Sequence, residues 1–297
     1  MAINRSVVLN GDLGSGKSTV SSMLAERLGV RRVSVGDLYR SLAAQLGMTA
    51  VEINLHAQLD DKIDHWVDQL QRDIAASGEQ LVVDSRLAWH FFADALKVHF
   101  IAEPTVAACR VLGRPANTVE SYADVPEARQ RLAMRSDSER QRFLTRYNVD
   151  KARLRNYDLI CDSTRATPEQ IVDRIISCLE GAYGSMERPL CFLDPSRVYP
   201  TAEAQPTSHG YDETQRIEVG YTAPDFFAVG DHRNLGAALE AGRTLVSARL
   251  VAEADETIGE LVCEDFFHQE STPGRIDAWN KAYGVSLPAF TAEAAGS

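Results

Sequence analysis

The sequence predicts an α/β protein: a parallel sheet flanked by helices, followed by a smaller α+β domain. Through about residue 180, short apolar runs typical of buried parallel strands alternate with segments whose apolar residues recur at helical spacing. Such alternation indicates a sheet covered on both faces. A glycine-rich loop stands between the first strand and the first helix, at 11–18. After 189 the pattern changes to short strand-like runs around one clear helix.

The elements of the first domain each have a local signal. Strands are predicted at 7–9, 30–35, 81–84, 97–102 and 158–162. Helices are predicted at 18–28, 50–77, 126–147 and 168–179. The first helix is expected to stop at Gly29, and Pro168 suits the first turn of the last helix. Four acids within 50–77 are interpreted as a solvated face: Asp60, Asp61, Asp64 and Asp68.

The second domain begins after a linker. Residues 182–189, AYGSMERP, are polar and contain glycine and proline. We therefore expect domains at 1–182 and 189–287, with a frayed tail at 288–297. Within the second domain, strand-like runs lie at 191–193, 217–219, 226–229 and 246–251, and the helix at about 234–241.

Acidic charge is concentrated in the second domain. The chain has a net charge of −11, and residues 186–297, with 8 basic and 18 acidic residues, contribute −10 of it. Phosphate contacts supply most nucleic-acid affinity, so this balance disfavours a DNA or RNA partner. No apolar run approaches the ~20 residues of a membrane span, and MAINRSVV lacks the apolar core of a signal peptide. We expect a cytoplasmic protein without a membrane partner.

The stretch SVVLNGDLGSGKS at 6–18 carries the clearest chemistry. It matches G-x-x-x-x-G-K-[ST] at every fixed position of 11–18, between a strand and a helix, which disfavours a chance glycine-rich turn. Its glycines allow positive φ, and its amides with the helix N-terminus form an anion cradle. Lys17 is placed to reach the β- and γ-phosphates, and Ser18 to hold Mg²⁺. The predicted contacts to a nucleoside triphosphate come from Gly11, Gly14, Ser15, Gly16, Lys17, Ser18 and Thr19.

Other charged residues suit an acceptor that is itself a phosphate. Arg40 and Arg86 follow the second and third strands, beyond the carboxyl ends where ligands gather in parallel sheets. Asp84 ends the third strand, where an acid can orient Mg²⁺ or its waters. A basic group precedes the fifth strand: Arg110, Arg114, Arg131, Arg135, Arg140 and Arg142. Such arginines are either a segment that closes over the transferring phosphoryl group or surface salt-bridge partners.

Seven segments in order resemble the cytidylate kinase family, chiefly its archaeal-type branch. They are GDLGSGKST at 11–19, VSVGDLYR at 33–40, LGMTAVEINLHAQLD at 46–60, VVDSRLAWH at 82–90, RSDSERQRF at 135–143, YNVD at 147–150 and NYDLICDST at 156–164. The resemblance covers 5–180. It implies the fold of the P-loop nucleoside monophosphate kinases and phosphoryl transfer from ATP, with Mg²⁺, to a cytidine-type monophosphate.

The same resemblance implies roles for particular residues. The monophosphate pocket would include Ser34, Asp37 and Arg40, and Arg86 would contact the monophosphate. The catalytic cations, in the phosphate loop and in or beside a mobile lid, would be Lys17, Arg131, Arg135 and Arg142. The metal would lie at Ser18 and Asp84. The implied reaction is an in-line transfer without a covalent intermediate.

Departures from the family pattern leave the acceptor open. Ser85 stands where related sequences usually have a glycine, Asp12 and Leu13 replace small residues or proline, and residues 89–92 are bulky and aromatic. The acceptor is CMP, dCMP, a modified pyrimidine nucleotide or a small non-nucleotide hydroxyl compound. A nucleotide-dependent sensor or regulatory protein is the alternative from another class.

The second domain carries one informative stretch, FFAVGDHRNLGAALEAGRTLVSARLV at 226–251. Together with DPSRVYP at 194–200, it resembles the ParB/sulfiredoxin-like fold over about 190–253. Members often bind nucleotide phosphates with a G-x-x-R element, which implies a phosphate site at Gly230, Asp231, His232 and Arg233. Some relatives phosphorylate free serine and some bind CTP. A scaffold or dimer contact is the alternative, so a homodimer is left open beside the small-molecule nucleotide partner.

Overall fold

The computed structural model describes residues 5–38, 47, 62–113, 122–183, 189–205 and 210–289. Their contacts divide the chain into two compact units. The first consists of Met1–Leu159 with Thr167–Ser185, and the second of Ile160–Ala166 with Met186–Ser297. The predicted domain limits, 1–182 and 189–287, stay a prediction, and most of the predicted tail lies outside the described residues. No helix in the described ranges has the length and apolarity needed to cross a membrane.

The first unit contains a parallel sheet in the order β2-β3-β1-β4. Its strands are β1 (Val7–Gly11), β2 (Arg31–Ser34), β3 (Leu81–Asp84) and β4 (Leu96–Ile101). Because both faces of such a sheet are covered, strands read as continuous apolar runs, and Val7, Val8 and Leu9 are at most 1% exposed. Leu9 pairs with Asp84, so the carboxyl ends of β1 and β3 lie side by side. The predicted fifth strand forms as β5 (Leu159–Asp162), and the division between the units runs through it.

Six helices of the first unit can be bounded within the described residues, and local sequence signals mark an end of several of them. They are α1 (Lys17–Leu28), α2 (Lys62–Ala76), α3 (Ala88–Phe91), α4 (Pro104–Leu112), α5 (Val125–Tyr147) and α6 (Pro168–Leu179). Gly29 ends α1 with φ 65°, and Thr167 and Gln170 form a capping box at the start of α6. Helices α3 and α4 were not predicted; Pro104 at the start of α4, capped by Glu103, was the overlooked signal.

One interpretation of α2 is wrong. Asp68 is 4% exposed and accepts a hydrogen bond from the Tyr147 hydroxyl of α5, so it does not belong to a solvated face. The acids Asp60, Asp61 and the side chain of Asp64 lie outside the described residues. Periodicity alone did not separate a buried carboxylate from its exposed neighbours, because its partner lies 79 residues away in sequence.

The second unit contains a mixed sheet in the order β6-β10-β8-β9-β7. Its strands are β6 (Leu190–Leu193), β7 (Val198–Tyr199), β8 (Ile217–Thr222), β9 (Asp225–Ala228) and β10 (Val246–Glu253). β10 is antiparallel to β6 and parallel to β8, whereas β8 is antiparallel to β9. A short hairpin follows, β11 (Thr257–Ile258) and β12 (Leu261–Val262).

Three helices accompany this sheet among the described residues, whereas the sequence analysis predicted a single helix. They are α7 (His232–Glu240), α8 (Cys263–Glu270) and α9 (Pro273–Tyr283). The ends of α9 were readable: Thr272 caps it, Pro273 occupies its first turn, and Gly284 closes it with φ 66°. The core beneath includes Phe227 and Phe267, whose rings stack at 4.8 Å between centroids.

Candidate active site

The loop between β1 and α1 is built so that only glycine fits at two positions. Gly11 and Gly14 have φ of +142° and +81°. A Cβ on Gly11 would strike the Phe100 backbone of β4, and one on Gly14 would lie 2.6 Å from the Ala107 carbonyl oxygen of α4. The Asp12 amide also donates to the Phe100 carbonyl at 2.8 Å, which fixes the loop to β4. The loop therefore has a single shape, set by backbone contacts from two other elements.

Lys17 bends back over this loop. Its Nζ donates to the carbonyl oxygens of Gly11 at 2.7 Å and Asp12 at 2.8 Å. Burial lowers the pKa of Lys17 to about 8; the charge of Asp84 opposes this effect and that of Arg86 adds to it. The ammonium is thus held by weak neutral acceptors in a place where anionic oxygens would bind it more strongly.

The carboxyl end of β3 faces the start of α1. The Ser18 hydroxyl donates to Asp84 Oδ2 at 3.0 Å, and Arg32 Nη2 lies 3.1 Å from the same oxygen. Arg32 also donates from Nε to Ser21 Oγ at 2.6 Å, which holds its guanidinium in place. Hydroxyl and carboxylate oxygens are the hard ligands that Mg²⁺ takes, so the pair predicted for the metal fits such an ion.

A buried carboxylate collects three cations beside the loop. Glu139 of α5 is 7% exposed and pairs with Arg86, with Arg135 Nε at 3.4 Å and with Lys151 Nζ at 3.2 Å. Burial by itself would raise the pKa of Glu139, but the charges of Arg86, Lys151 and Arg135 outweigh it and hold the pKa below its usual value. The charge of Glu139 in turn acts to raise the pKa of Lys17. An anion site is therefore assembled here, with Glu139 inside it.

The other residues predicted for the lid and the acceptor pocket contact different partners. Arg131 pairs with Glu127 at 2.6 Å, one turn earlier on α5, and the Arg142 guanidinium lies 5.5 Å from the Phe143 ring centroid. The Asp37 amide donates to Ser34 Oγ at 3.2 Å, and Arg32 pairs with Asp37 at 3.5 Å, so these candidates meet where β2 ends. Arg40 lies outside the described residues.

Sequence reasoning missed Glu139, Lys151 and Arg32. Glu139 stands four residues after Arg135, inside the quoted segment RSDSERQRF, and that helical spacing was its available signal. Lys151 and Arg32 had no local signal, since their partners come from other elements.

A neutral histidine lies beneath the site. His99 of β4 is 7% exposed and stacks on Tyr157 at 4.5 Å between ring centroids. Its Nδ1 lies 3.3 Å from the side-chain Nδ2 of Asn10. Burial lowers the pKa of His99 to about 3, and the charges of Lys17 and Lys151 add to the effect. His99 therefore stays uncharged at ordinary pH and supports the cations without repelling them.

In the predicted phosphate site of the second unit, the side chains of Asp231, His232 and Arg233 form hydrogen bonds with other residues of the protein. Asp231 accepts from Gln215 Nε2, His232 Nε2 accepts from the Thr201 amide at 3.2 Å, and Arg233 Nε donates to Gln205 at 2.7 Å. Burial lowers the pKa of His232, and the charge of Arg275 adds to this. Asn234 likewise binds backbone groups of Asp212 and Gln215. These residues attach two loops to the start of α7.

The strand, glycine loop and helix of the first unit, with a loop lysine and cations converging beside it, define a P-loop phosphotransferase. The model of the AAA domain family matches residues 7–155, half of the chain. Cytidylate kinase of Archaeoglobus fulgidus is 34% identical over 175 residues, which are 59% of this chain and 94% of the relative. Cytidylate kinase of Haloarcula marismortui is 37% identical over 177 residues, which are 59% of this chain and 88% of the relative.

The chain belongs to the AAA domain family and, through its first unit, to the cytidylate kinase family. The prediction of a nucleoside monophosphate kinase is thereby confirmed. A solved structure of shikimate kinase from Bacteroides thetaiotaomicron is similar over 59% of this chain and 98% of its own length, with 16% sequence identity and a TM-score of 0.45. The ParB/sulfiredoxin-like resemblance of the second unit stays a prediction.

Proposed function

We propose that the enzyme transfers the γ-phosphoryl group of ATP to a pyrimidine nucleoside monophosphate: CMP, dCMP or a modified relative. The observation that carries the proposal is the convergence of Lys17, Arg86, Arg135 and Lys151 around Glu139 in a member of the cytidylate kinase family. A second phosphate, brought in by the acceptor, needs cations beyond those of the loop, and this cluster supplies them.

The chain's own residues would act by binding and neutralising charge. Lys17 leaves its carbonyl acceptors for the β- and γ-phosphates of ATP, and Arg86 binds the acceptor phosphate. An oxygen of that phosphate attacks the γ-phosphorus in line, while the bond to the bridging oxygen breaks and ADP leaves. Phosphate oxygens need no strong base, so the protein contributes position and electrostatic stabilisation. Arg135 and Lys151 are placed to balance the migrating charge.

The proposal includes Mg²⁺ with the ATP. Ser18 and Asp84 would hold the ion, and bound there it would supply positive charge to the phosphates. Arg32, which contacts the same carboxylate oxygen, orients Asp84. Arg131 and Arg142 remain proposed lid cations, which would turn from their present neighbours when the site is filled.

Glu139 has a defined part in this proposal. Without an anion, three cations at close range repel each other, and a buried carboxylate removes that repulsion. We infer that Glu139 keeps Arg86, Arg135 and Lys151 assembled between turnovers, so that little reorganisation is needed when phosphate arrives. Its partners then share their donors between Glu139 and the substrate.

The test is a product assay. The protein is incubated with ATP, Mg²⁺ and each of CMP, dCMP, UMP, dTMP, AMP and hydroxymethylated pyrimidine monophosphates, and diphosphates are read by phosphorus NMR, with Lys17→Ala as the blank. Product with one cytosine nucleotide, absent in the blank, is expected. Product with none, together with phosphorylation of a small hydroxyl compound, would replace the proposed acceptor by that compound.

We propose for the second unit that Gly230, Asp231, His232 and Arg233 form a phosphate site once Arg233 leaves Gln205. Titrating CTP into the Lys17→Ala protein, in which the first site is disabled, tests it. Binding that is lost in the double variant with Arg233→Ala supports a sensor or regulatory role for this unit. Absence of binding leaves Asp231, His232 and Arg233 as anchors of two loops.

A further inference from the structure

A buried group of three polar side chains adjoins the phosphate loop and has no part in the proposed reaction. Asn10, His99 and Tyr157 are 3%, 7% and 1% exposed. Buried polar groups cost free energy unless they are hydrogen-bonded, so the three must satisfy one another or their neighbours. The charges of both Lys17 and Lys151 lower the pKa of His99, so the group lies within electrostatic range of both cations.

The hydrogen bonds of this group have a defined direction. Asn10 Nδ2 donates one hydrogen to the Tyr157 hydroxyl oxygen, and it lies 3.3 Å from His99 Nδ1. Because the ring of His99 is neutral, Nδ1 can accept the second amide hydrogen. The Tyr157 oxygen accepts from Asn10, so its own proton is directed to another acceptor. That acceptor is the backbone carbonyl of Lys151, at 2.8 Å.

The Tyr157 ring is held in place by its neighbours. It stacks on His99, and its centroid lies 5.5 Å from that of Trp89 in an edge-on contact. Its backbone amide donates to the Leu154 carbonyl at 3.0 Å. The hydroxyl therefore keeps a fixed place relative to β1 and β4, which carry Asn10 and His99.

This hydroxyl attaches Lys151 to the sheet. Residues 148–153, which carry Lys151, form no helix or strand. The preceding residue, Asp150, is held to α5 by Arg140, whose Nε donates to Oδ1 at 2.8 Å. Lys151 itself is joined through Tyr157 to Asn10, the residue of β1 that directly precedes Gly11 of the phosphate loop.

The ammonium of Lys151 depends on that attachment. Its Nζ lies 3.2 Å from Glu139 Oε2 and 3.3 Å from Ser136 Oγ, both on α5. A lysine is a point charge on a flexible four-carbon stem, so the place of its ammonium is only as well defined as its backbone and its contacts. Any substrate phosphate that competes for the Glu139 contact leaves the backbone attachment to define that place.

We propose that Tyr157 is a positioning residue for phosphoryl transfer, because its hydroxyl, oriented by Asn10, fixes Lys151 relative to the phosphate loop. Lys151 is the group that meets the migrating phosphoryl group, whereas Tyr157 and Asn10 touch no substrate. When phosphate oxygens draw the arginines of the cluster toward them, Lys151 keeps its distance from the loop. The inference rests on the proposed function and deepens it, since it assigns what fixes one of the cations.

The test is a double-mutant cycle that combines Tyr157→Phe with Lys151→Ala. Without the hydroxyl Lys151 can shift, so Tyr157→Phe alone should lower kcat about tenfold. In the Lys151→Ala background no ammonium is left to position, so the same change should alter kcat by less than about twofold. The KM for ATP should change by less than about twofold in Tyr157→Phe, because Lys17 rests on carbonyl oxygens of its own loop.

Tyr183→Phe is the matched control. The Tyr183 hydroxyl accepts from Arg174 Nη1 at 3.0 Å within the same unit. Its loss should change kcat by less than about twofold in both backgrounds. Each kcat is divided by the concentration of sites that bind ATP in a calorimetric titration, so unfolded protein does not imitate a loss. A third background, Lys151→Arg, keeps a cation and should restore the sensitivity to Tyr157→Phe.

Asn10→Ser provides a second variant in which the Tyr157 ring stays in place. It removes the amide that orients the hydroxyl, so kcat should fall about threefold with Lys151 present and not at all in Lys151→Ala. If the wild-type enzyme phosphorylates a pyrimidine nucleoside monophosphate but both variants cause no loss, or an equal loss in both backgrounds, the inference is overturned and the proposed function stands. A Lys151→Ala enzyme with the wild-type kcat overturns it as well. If the wild-type enzyme phosphorylates no nucleoside monophosphate, the proposed function fails and the inference with it.

Discussion

The two units each contain a glycine turn that leads into a helix, and the two turns are used differently. Gly16 before α1 and Asp231 before α7 both adopt a left-handed conformation, with φ of 81° and 57°, and neither caps its helix with a side chain. Around the first turn, Lys17 rests on carbonyl oxygens of its own loop. Around the second, Arg233 and His232 hold side-chain and backbone groups of other loops.

The difference shows that local geometry does not make a phosphate site by itself. A helix N-terminus offers amides in both places, but at the first one charges from α1, β3 and α5 converge, including those of Lys17, Arg86 and Glu139. At the second, the motif's side chains already have protein partners. An anion there would have to displace hydrogen bonds that attach loops to α7.

The largest expected effect separates the two turns directly. Lys17→Ala should lower phosphoryl-transfer turnover by about 100-fold or more, because one buried donor to developing charge is lost. Arg233→Ala should stay within about twofold of the wild type, since it loses one exposed hydrogen bond. Steady-state kinetics on both purified variants, with circular dichroism to confirm folding, makes the measurement. Equal losses would mean that the second turn takes part in catalysis.

The next effect concerns the charge cluster of the first unit. Glu139→Gln leaves three cations without their buried carboxylate and should lower the free energy of unfolding of that unit by about 3 kcal/mol. Asp137→Asn, an exposed change on the same helix, should lower it by less than about 0.5 kcal/mol. Urea unfolding followed by tryptophan fluorescence, with Trp279 replaced by Phe, reports the first unit through Trp66 and Trp89. A loss no larger than the control's would show that Glu139 does not hold the cluster together.

A smaller effect is expected in the pH dependence of ATP binding, because the pKa of Lys17 is about 8. Phosphates bind the protonated amine, so ATP binding draws a proton onto Lys17 above pH 8. ATP affinity should therefore fall by up to about tenfold per pH unit between pH 8 and 9.5, and remain nearly level from pH 7 to 7.5. Calorimetric titration in two buffers of different ionisation enthalpy measures both the affinity and the proton uptake. Lys17→Ala should bind weakly without this dependence; an equal slope in the variant would assign the titration to another group.

The smallest expected effect is a pH dependence of the second unit's stability, which comes from His232 of the second turn. Burial and the charge of Arg275 lower its pKa, so the folded unit holds the neutral ring that accepts from Thr201. The unfolded chain takes up the proton first. The contribution of His232 to stability is therefore complete above the usual histidine range and is lost as pH falls through the lowered pKa.

The ring of Trp279 lies 6.2 Å from that of His232 and can report this titration. Replacing Trp66 and Trp89 by Phe leaves Trp279 as the fluorophore, and protonation of His232 is expected to quench it as the pH falls. This quenching should disappear in His232→Gln. It should persist in His268→Gln, an exposed control on α8. Persistence in both would assign the titration elsewhere.

Much of the first unit was predictable because its signals are local. Strand β1, the glycine loop and α1 are contiguous, and each residue's role follows from its position in a known pattern. Helices α4 and α9 were also predictable, since proline in the first turn and a capping residue mark both, yet these signals were overlooked. The prediction for Asp68 failed because its partner, Tyr147, comes from another helix.

The sequence by itself determined the chemistry that depends on neighbours along the chain: a phosphate loop, its lysine, the hydroxyl at Ser18 and the alternation of strand and helix. Tertiary structure alone decided which charges meet. Glu139 collects Arg86 and Lys151 from 53 and 12 residues away, and Gln71 is oriented by Ser85, 14 residues on. Hydrogen bonds and ion pairs act over a few ångströms, so their energies depend on distances in space. Only the packing of α2 and α5 about the ends of the strands sets those distances.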